Sequence, residues 1–480
     1  MRITFTCLFL AASCFAGYFT AVTPLTHQQD TEEQLSGESK LIMNLLDLNN
    51  DRRLDKSELE GNAIDMLEEL DQNGDSVIDV SELAVFSEEQ VDVHTMLSSI
   101  DTMTHPSRIV DLPNGIHKGI NLHFKKYTNV LAPNGTPIHF LAMDGWSNDR
   151  ILHARKVMEH FLTDVPGIRW GNKAELANTM ANNHATMILL NDQRDMDRVL
   201  PSLENTNLQL QDLRANESPY EGESDYMGHE SRDAAWEEVF HLVHAAGILE
   251  AMKSYDRDIR KFAKQARQSD LWNYDEPNMP GNHFEYIICV FDNYIDLWKT
   301  PPTHMEGHPI RRQPKGYSFG HEYKAFDRAS TKEVDPNGFA LVEEFNPRRI
   351  AYTAELPTEF EGEFSISTES KSRYGEKAKF IANVTARGNK KVQLIGNQYD
   401  NRLLGNSADN RFIGNGGDDS LFGGAGIDTA VFRGPRKQYT IRQLDNLVEI
   451  HDSTVNRDGY DVLSSIEWLV FSDQKVELKK

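Results

Sequence analysis

Cysteine is almost absent from this sequence, because the 480 residues include only three. Cys7 and Cys14 lie in an apolar N-terminal segment, so a chain that loses this segment keeps only Cys289. A single cysteine cannot form an intrachain disulfide, which excludes disulfide cross-linking as the means of stabilising small modules. Bound metal ions are the main alternative for such modules.

Long hydrophobic runs are also missing after the N-terminus, and no later segment is apolar enough over enough length to span a bilayer. Residues 1–16 have a basic residue at position 2, continue as an apolar run and end in small residues. This pattern predicts a secretory signal peptide that is cleaved after Ala16. We therefore expect a secreted, extracellular protein.

Positive charge is scarce, since 50 Lys and Arg face 74 Asp and Glu, giving a formal net charge of −24. This balance argues against a nucleic-acid partner and against binding to an anionic membrane surface. Divalent cations, basic proteins and mineral surfaces remain as partners. The acidic residues are concentrated, because residues 31–100 contain 18 acidic and 4 basic residues.

Composition divides the rest of the chain into modules and predicts a multidomain α+β protein. We expect an all-α pair of calcium-binding hands, a central mixed domain that is mostly α-helical, a parallel β-roll and a β-cap. The boundaries predicted for these four modules are 35–95, 110–390, 396–432 and 433–480.

Two acidic loops near the N-terminus place oxygen-bearing side chains at the spacing that Ca²⁺ requires. A 12-residue calcium loop supplies ligands from positions 1, 3, 5, 9 and 12 and a backbone carbonyl from position 7. In the first acidic loop (47–58) these positions hold Asp47, Asn49, Asp51, Asp55, Glu58 and, at position 7, Arg53. In the second acidic loop (71–82) they hold Asp71, Asn73, Asp75, Asp79, Glu82 and, at position 7, Val77.

These loops resemble the EF-hand family, and the resemblance implies two calcium sites. Position 8 is apolar in both loops, Leu54 and Ile78, which favours a short strand that pairs one loop with the other. Position 6 departs from the family, which prefers Gly there for a left-handed backbone, and holds Arg52 and Ser76. Strain of about 1 kcal/mol or more at this position would weaken calcium binding without abolishing it.

Residues 396–431 form four consecutive nonapeptides, GNQYDNRLL, GNSADNRFI, GNGGDDSLF and GGAGIDTAV. They resemble the RTX, or hemolysin-type, calcium repeat, which implies a parallel β-roll with Ca²⁺ in its turns. Two nonapeptides make one coil, so residues 18 apart meet. The predicted calcium ligands at position 6 of the repeats are Asn401, Asn410, Asp419 and Asp428. Because the first two are Asn, we expect one or two sites, the first of them weaker.

One segment in the centre, 233–252, has helical periodicity and places three ligand-type side chains on a single stripe. Glu237, His241 and His244 occupy positions i, i+4 and i+7, and Glu238 flanks them. The other faces of this helix are apolar, so we expect it to be buried. Buried Glu and His require partners, and either a metal ion or a hydrogen-bonded polar network would satisfy them.

This EExxHxxH pattern is similar to the HExxH motif of zincin metallopeptidases, with Glu237 in place of the first His. The resemblance implies zinc ligands at Glu237 and His241, with His244 as a further candidate and Glu238 as the general base. A remaining ligand could come from a later helix, where Glu285 is the candidate and His283 a weaker one. Only about 20 residues carry this resemblance.

Two functions remain open. The first is a secreted, non-catalytic calcium-binding protein of an extracellular matrix, since the chain resembles EF-hand proteins of calcified tissue and shell in composition. Its partners would be Ca²⁺ and matrix or mineral-associated proteins. The alternative is a secreted zinc metallopeptidase, or an inactive relative of one. Three sequons, at Asn134, Asn216 and Asn383, predict glycosylation in a eukaryotic host.

Overall fold

The computed structural model describes residues 43, 44, 46, 47, 49, 51–55, 58, 71, 73–79, 82, 91–274, 281–305 and 307–478. The predicted signal peptide lies outside these residues. The α-helices of the described residues are α1 Val93–Ser98, α2 Lys118–His123, α3 Asn148–Leu162, α4 Lys173–Asn182, α5 Met196–Val199, α6 Ser224–Gly228, α7 Ala235–Val243, α8 Leu249–Ala251, α9 Lys253–Gln268, α10 His283–Tyr294, α11 Arg328–Val334, α12 Pro336–Phe345 and α13 Gly375–Ala378.

The strands fall into two groups, those of the N-terminal and central parts and those of the C-terminal part. The first group comprises β1 Arg53–Asp55, β2 Val77–Asp79, β3 Val110–Asp111, β4 Lys126–Leu131, β5 Pro137–Ala142, β6 Ala185–Leu190, β7 Gln209–Arg214, β8 His304–Met305 and β9 His308–Pro309. The second group comprises β10 Ile350–Leu356, β11 Gly362–Ser365, β12 Ile381–Ala386, β13 Val392–Ile395, β14 Arg402–Leu404, β15 Arg411–Ile413, β16 Ser420–Phe422, β17 Thr429–Val431, β18 Tyr439–Gln443, β19 Val448–Asp452, β20 Tyr460–Ser464, β21 Trp468–Val470 and β22 Lys475–Glu477.

The two acidic loops meet through their short strands. β1 and β2 pair antiparallel, with Leu54 opposite Ile78. Both side chains are fully buried. The apolar residue at position 8 therefore does what its pattern predicts, because it joins one loop to the other.

The central body is built on a five-stranded sheet in the order β3–β4–β5–β6–β7. β3, β4 and β5 are antiparallel neighbours, whereas β5, β6 and β7 run parallel. The connection from β5 to β6 contains α3 and α4, as a parallel pair requires a crossover. The chain is thus a mixture of helices and strands, as expected, but this sheet in the middle of it was not predicted.

The helix with the EExxHxxH pattern, α7, follows β7 and the short helix α6 in the chain and lies against α3. It continues as a π-helical turn, His244–Ile248, which inserts an extra residue per turn at this point. α10 packs against α7, α9 and α12. All twelve residues of α10 are buried, including its polar side chains.

The C-terminal part is a roll of two sheets whose central strands run parallel. One sheet has the order β10–β12–β14–β16–β20–β19–β18, and the other has the order β11–β13–β15–β17–β21–β22. Each coil of the roll contributes one strand to each sheet, so the first five strands of each sheet make five coils. The nonapeptides supply the third and fourth coils, β14 to β17.

An inward ladder of apolar side chains fills the space between the two sheets. Residues at matched positions in the five coils are buried to 1% exposure or less. In one sheet they are Ala354, Val384, Leu403, Leu421 and Leu463, and in the other Phe364, Leu394, Phe412, Ala430 and Leu469. The ladder predicted for the four repeats therefore continues on both sides of them.

The roll shares one hydrophobic core with the central body. Tyr352 of the first coil stacks on Trp236 of α7, with ring centroids 6.0 Å apart, and its hydroxyl donates to Glu221. Lys156 of α3 donates to the carbonyl of Thr353 across 2.7 Å. The first coil is therefore fixed to the body, and the roll projects from it toward the cap. In the part of the chain that the structure describes, no helix combines the length and apolar character needed to cross a membrane.

Candidate calcium and metal sites

The turns of the third and fourth coils repeat one hydrogen-bonding pattern. The backbone N–H of Asn401 donates to Asp419 Oδ1 across 2.8 Å, and that of Asn410 donates to Asp428 Oδ1 across 2.7 Å. Residues 18 apart are thus in contact, as the nonapeptide period predicts. Position 6 of each repeat lies on the inside of its turn, and all four of these side chains are buried.

The side chains of Asn401 and Asn410 form hydrogen bonds to protein groups, and that of Asn401 reaches the preceding coil. Asn401 Oδ1 accepts from the N–H of Asn397, and Asn401 Nδ2 donates to the carbonyl of Ala382 across 3.1 Å. Asn410 Oδ1 likewise accepts from the N–H of Asn406. An amide can donate as well as accept, so each of these side chains satisfies both halves of its hydrogen-bonding capacity.

The aspartates of the third and fourth repeats have the same backbone position but are not satisfied. Asp419 Oδ2 and Asp428 Oδ2 are buried, and no hydrogen-bond donor among the described residues reaches them. Burial and the neighbouring Asp400 and Asp418 raise the pKa of Asp419 to about 8, and burial raises that of Asp428 to about 6. A buried carboxylate oxygen without a donor is costly, and a cation removes that cost.

Glycines at position 1 leave room beside these oxygens. A Cβ on Gly414 would lie 2.1 Å from Asp419 Oδ2, and a Cβ on Gly423 would lie 2.5 Å from Asp428 Oδ2 and 1.9 Å from the carbonyl oxygen of Ser465. Carboxylate and carbonyl oxygens therefore converge where a side chain is absent. Ca²⁺ takes oxygen ligands at 2.3–2.6 Å, so the donor set of these two turns fits it.

The two acidic loops are folded around their own carboxylates. Asp47 accepts from the N–H groups of Asp51 and Arg52, and Asp71 accepts from those of Gly74, Asp75 and Ser76. The last ligand position of each loop reaches back, because Glu58 accepts from the N–H of Asn49 and Glu82 from that of Asn73.

Carboxylate oxygens of Asp47, Asp51 and Glu58 lie within 4.8 Å of one another. Position 6 is left-handed in both loops, with φ of 64° at Arg52 and 65° at Ser76. The two residues therefore adopt the backbone conformation that favours glycine.

In the central body, three of the predicted zinc residues converge. The ligand atoms of Glu237, His241 and Glu285 lie within 4.8 Å of one another, and His241 Nε2 is 3.1 Å from Glu285 Oε1. All three residues are buried. Burial raises the pKa of Glu285 to about 7 although His241 opposes it, whereas Glu285 and Glu238 outweigh burial and raise that of His241. One imidazole and two carboxylates are ligands that Zn²⁺ accepts.

A buried arginine that the sequence reasoning missed balances this group. Arg232 contacts Glu237 through one guanidinium nitrogen and Asp292 through another, at 2.5 and 2.7 Å. Burial opposes ionisation of Glu237, but Arg232 and His241 outweigh it and lower its pKa. Arg232 has no periodic relationship to α7 in the sequence, so only the fold reveals it.

His244 lies apart from the other predicted zinc residues. Its Nε2 is 2.8 Å from Asp256 Oδ1, and His283 Nε2 is also 2.8 Å from that oxygen. Phe284 stacks on His244, with ring centroids 3.8 Å apart. Consecutive residues of α10 therefore contact two different groups, because His283 and Phe284 lie at His244 whereas Glu285 lies at His241. Burial lowers the pKa of His244, and that of His283 to about 3, although Asp256 opposes both.

Glu238 lies on the other side of the His241 ring from Glu285. Its Oε2 is 3.4 Å from His241 Nδ1 and accepts a hydrogen bond from Gln211 Nε2 across 2.7 Å. A general base must reach a water on the metal side of the site, which is the Nε2 side here. The contact at Nδ1 instead resembles the outer carboxylate that orients a ligating imidazole.

The three sequons differ in exposure. Asn134 and Asn216 are exposed, whereas Asn383 is half-buried within β12 between two neighbouring strands. An N-linked glycan requires an accessible side chain, so the first two positions suit one better than the third.

Residues 395–430 match the family model of the RTX calcium-binding nonapeptide repeat, in four copies. This segment binds calcium. No curated protein matches the chain. Among solved structures, the extracellular lipase LipA from Serratia marcescens is similar at 19% identity and a TM-score of 0.10, over 16% of this chain and 14% of the lipase. The chain thus spans about a seventh of that protein's length.

Proposed function

We propose that this protein is a secreted calcium-binding component of an extracellular matrix. The observation that carries the proposal is the pair of buried, unsatisfied oxygens on Asp419 and Asp428 within the RTX repeats. Ca²⁺ is abundant outside cells, so sites of modest affinity would be filled there. The apolar segment at residues 3–15 supports secretion, and the scarcity of basic residues supports basic matrix proteins as partners.

The two acidic loops add an EF-hand pair to this proposal. Their carboxylates already accept backbone N–H groups in the way a calcium loop requires, and the β1–β2 pairing couples one loop to the other. Arg53 contacts Asp75 across 3.2 Å, so a basic side chain of the first loop lies beside a ligand of the second. We therefore expect the second loop to bind Ca²⁺ less tightly than its ligand count suggests.

Calcium titration of the full chain tests the binding part of this proposal. Asp419→Asn with Asp428→Asn should remove the ions of the roll, and Asp47→Asn with Asp71→Asn should remove those of the loops. Gln398→Glu, an exposed position in a repeat turn, is the matched control and should leave the titration unchanged. Equal calcium uptake by all variants would contradict the proposal.

Secretion and matrix binding need their own measurement. Expression in animal cells with residues 1–16 intact should deliver the chain to the medium with a new N-terminus after Ala16. The secreted chain should then be retained by a cationic matrix in calcium and released in part by chelation. A chain that stays in the cell with Met1 in place would overturn the extracellular assignment.

A second candidate function rests on the convergence of Glu237, His241 and Glu285. We infer a transition-metal site there, with Zn²⁺ as the first ion to test, in a body related to the zinc metallopeptidases. Glu238 contacts His241 at Nδ1 and not at Nε2, which favours an inactive relative over a peptidase. The residues would bind the ion, and the ion would add structural stability.

Metal analysis of the purified chain distinguishes these cases. One equivalent of zinc that is lost in His241→Ala and kept in Glu250→Gln, an exposed position two residues after the end of the π-helical turn, would support the site. Absence of any transition metal after growth in zinc would overturn it. Cleavage of casein that disappears in Glu238→Gln would restore the peptidase assignment.

A further inference from the structure

The segment after the last nonapeptide contains a fifth repeat that lacks the full nonapeptide pattern. Val462 N–H donates to the carbonyl of Asp419 across 2.8 Å, which is the bond that Ser420 N–H makes to Asn401 one coil earlier. Gly459 has φ of +80°, and a Cβ on it would lie 2.0 Å from the carbonyl of Gly417.

The register between β16 and β20 pairs Leu421 with Leu463. Gly459, Asp461 and Leu463 therefore occupy positions 4, 6 and 8 of a repeat whose first half is replaced by the β18–β19 hairpin.

The other side of the roll is completed in a shortened form. β21 continues the second sheet, with Leu469 paired to Ala430, and Trp468 N–H donates to the carbonyl of Asp428 across 2.9 Å. Only residues 465–467 connect β20 to β21, whereas the repeats use six residues for the same turn. Glu467 stands where the repeats have Asp or Asn, and its longer side chain compensates for the shorter turn.

The carboxylates of Asp461 and Glu467 lie in line with the predicted calcium ligands, which form two columns along the roll. Asp461 Oδ1 accepts from the N–H of Asp419 across 3.0 Å, and Glu467 Oε2 accepts from the N–H of Asp428 across 2.8 Å. These bonds repeat those between the position-6 residues of the two coils before. One column therefore reads Asn401, Asp419 and Asp461, and the other reads Asn410, Asp428 and Glu467.

Neighbouring acidic side chains have arginine partners, whereas Asp419, Asp428 and Asp461 have none among the described residues. Asp458 pairs with Arg433, and Asp452 pairs with Arg457. Among the described residues, no Lys or Arg forms an ion pair with Asp419, Asp428 or Asp461. Burial and the adjacent Asp419 raise the pKa of Asp461 to about 9. The free end of the roll thus contains three buried acidic side chains, Asp419, Asp428 and Asp461, that no Lys or Arg of the described residues neutralises.

We propose that Asp461 and Glu467, outside the four nonapeptides, complete two Ca²⁺ sites with Asp419 and Asp428, and that filling these sites docks the cap onto the roll. The inference deepens the proposed calcium function and rests on it. The fifth coil would then be a calcium-dependent element, in contrast to the amide-linked third coil. The chemistry requires a divalent cation that accepts an all-oxygen site, which is Ca²⁺ outside the cell.

Calcium titration by calorimetry on the full chain tests the proposal in a background with Asp47→Asn and Asp71→Asn, so that the heat reports the roll. Asp461→Asn and Glu467→Gln should each weaken one site by about tenfold or more. Asp445→Asn, an exposed carboxylate in the β18–β19 turn, is the control and should change nothing. Unchanged affinity and stoichiometry in both variants would overturn the proposal.

Asp419→Asn and Asp428→Asn separate this outcome from failure of the repeats themselves. If these two variants also titrate like the parent, calcium binding by the repeats is wrong. If they lose the ions while Asp461→Asn and Glu467→Gln do not, only the fifth-coil inference is wrong.

A measurement on the unaltered chain covers the case in which a variant fails to fold. Addition of Ca²⁺ should slow amide hydrogen exchange across β20 and β21. Terbium bound in place of calcium should emit on excitation of Trp468, which adjoins Glu467, and Trp468→Phe should remove most of that emission. Exchange in β20 and β21 that does not respond to Ca²⁺ would overturn the docking step.

Discussion

Asn401 donates a side-chain hydrogen bond to the carbonyl of Ala382, 3.1 Å away in the coil before it. One coil later, the same position holds an aspartate that can only accept. This difference divides the roll into a part linked by amides and a part that requires ions, and it leads to the first prediction.

Replacement of Asn401 by Asp should make the third coil calcium-dependent. Without Ca²⁺ the variant loses a donor to Ala382 and gains a buried charge, so the free energy of unfolding should fall by about 1–3 kcal/mol. With Ca²⁺ part of that loss should return. Urea unfolding with and without chelator measures both effects, and Gln398→Glu controls for added charge in the same turn. A loss of stability that calcium does not reduce would count against ion binding at this position.

Replacement of Arg52 by Gly should strengthen the first acidic loop. The left-handed backbone at Arg52 costs about 1 kcal/mol for a residue with a Cβ, which corresponds to about fivefold in calcium affinity. Arg52→Ala removes the same charge but keeps the Cβ. Calcium titration of both variants therefore separates relief of backbone strain from loss of positive charge, and equal gains in the two would show that charge alone matters.

Removal of Arg232 should destabilise the central body strongly. Arg232→Met leaves the buried carboxylates of Glu237 and Asp292 without their cation, at a cost of about 3–5 kcal/mol. Addition of Glu237→Gln and Asp292→Asn to Arg232→Met should recover much of this stability. Thermal and urea unfolding of the single and triple variants provide the measurement, and a mild effect of Arg232→Met would show that the charges are balanced by other groups.

The stability of the body should decline in alkaline solution because of His153. Its Nε2 lies 2.9 Å from Asp233 and its Nδ1 lies 3.3 Å from Glu221, and these carboxylates outweigh burial and raise its pKa to about 10. A folded-state pKa above the unfolded value of about 6.5 means that the folded chain holds the extra proton. This contribution is complete below pH 6.5 and is lost as the pH rises toward 10.

The contribution of Glu221 to stability changes with pH in the opposite direction. His153 outweighs burial and lowers the pKa of Glu221 to about 2, so its contribution is present above about pH 4.5 and is lost as the pH falls toward 2.

For His153, we expect the free energy of unfolding to fall between pH 6.5 and 10 by up to about 1.4 kcal/mol per pH unit. In His153→Gln that alkaline slope should flatten. A slope that is the same in both proteins would assign it to other groups.

Sequence patterns located the roll because a repeat with a fixed period specifies its own neighbours. The period of nine places Asn401 beside Asp419, and the structure has that contact. The first two coils and the fifth have the same architecture without the full motif, since residues such as Val384 and Leu463 need only be apolar and inward. Gly459-x-Asp461-x-Leu463 is half of a repeat, and a search for half-repeats would have found it.

The central sheet was harder to predict for a physical reason. β5 and β6 are buried along their whole length, so their sequences, PIHFLA and ATMILL, are mostly apolar and lack the alternation that marks a half-buried strand. His244 contacts Asp256 and not the Glu237 group, and spacing alone does not indicate that partner. The spacing of Glu237 and His241, by contrast, correctly brings these two side chains together with Glu285.

The contrast between the third coil and the fifth gives the roll a direction. Its base shares a core with the body and is closed by hydrogen bonds, whereas at its tip burial and neighbouring acidic groups oppose the ionisation of Asp419 and Asp461. Depletion of calcium should therefore release the segment after Val431 first, and the loss of structure should stop at the third coil, where the side chain of Asn401 forms hydrogen bonds. On entry into a calcium-rich medium the same segment would close last, so the surrounding ion concentration sets the moment at which the molecule acquires its final surface.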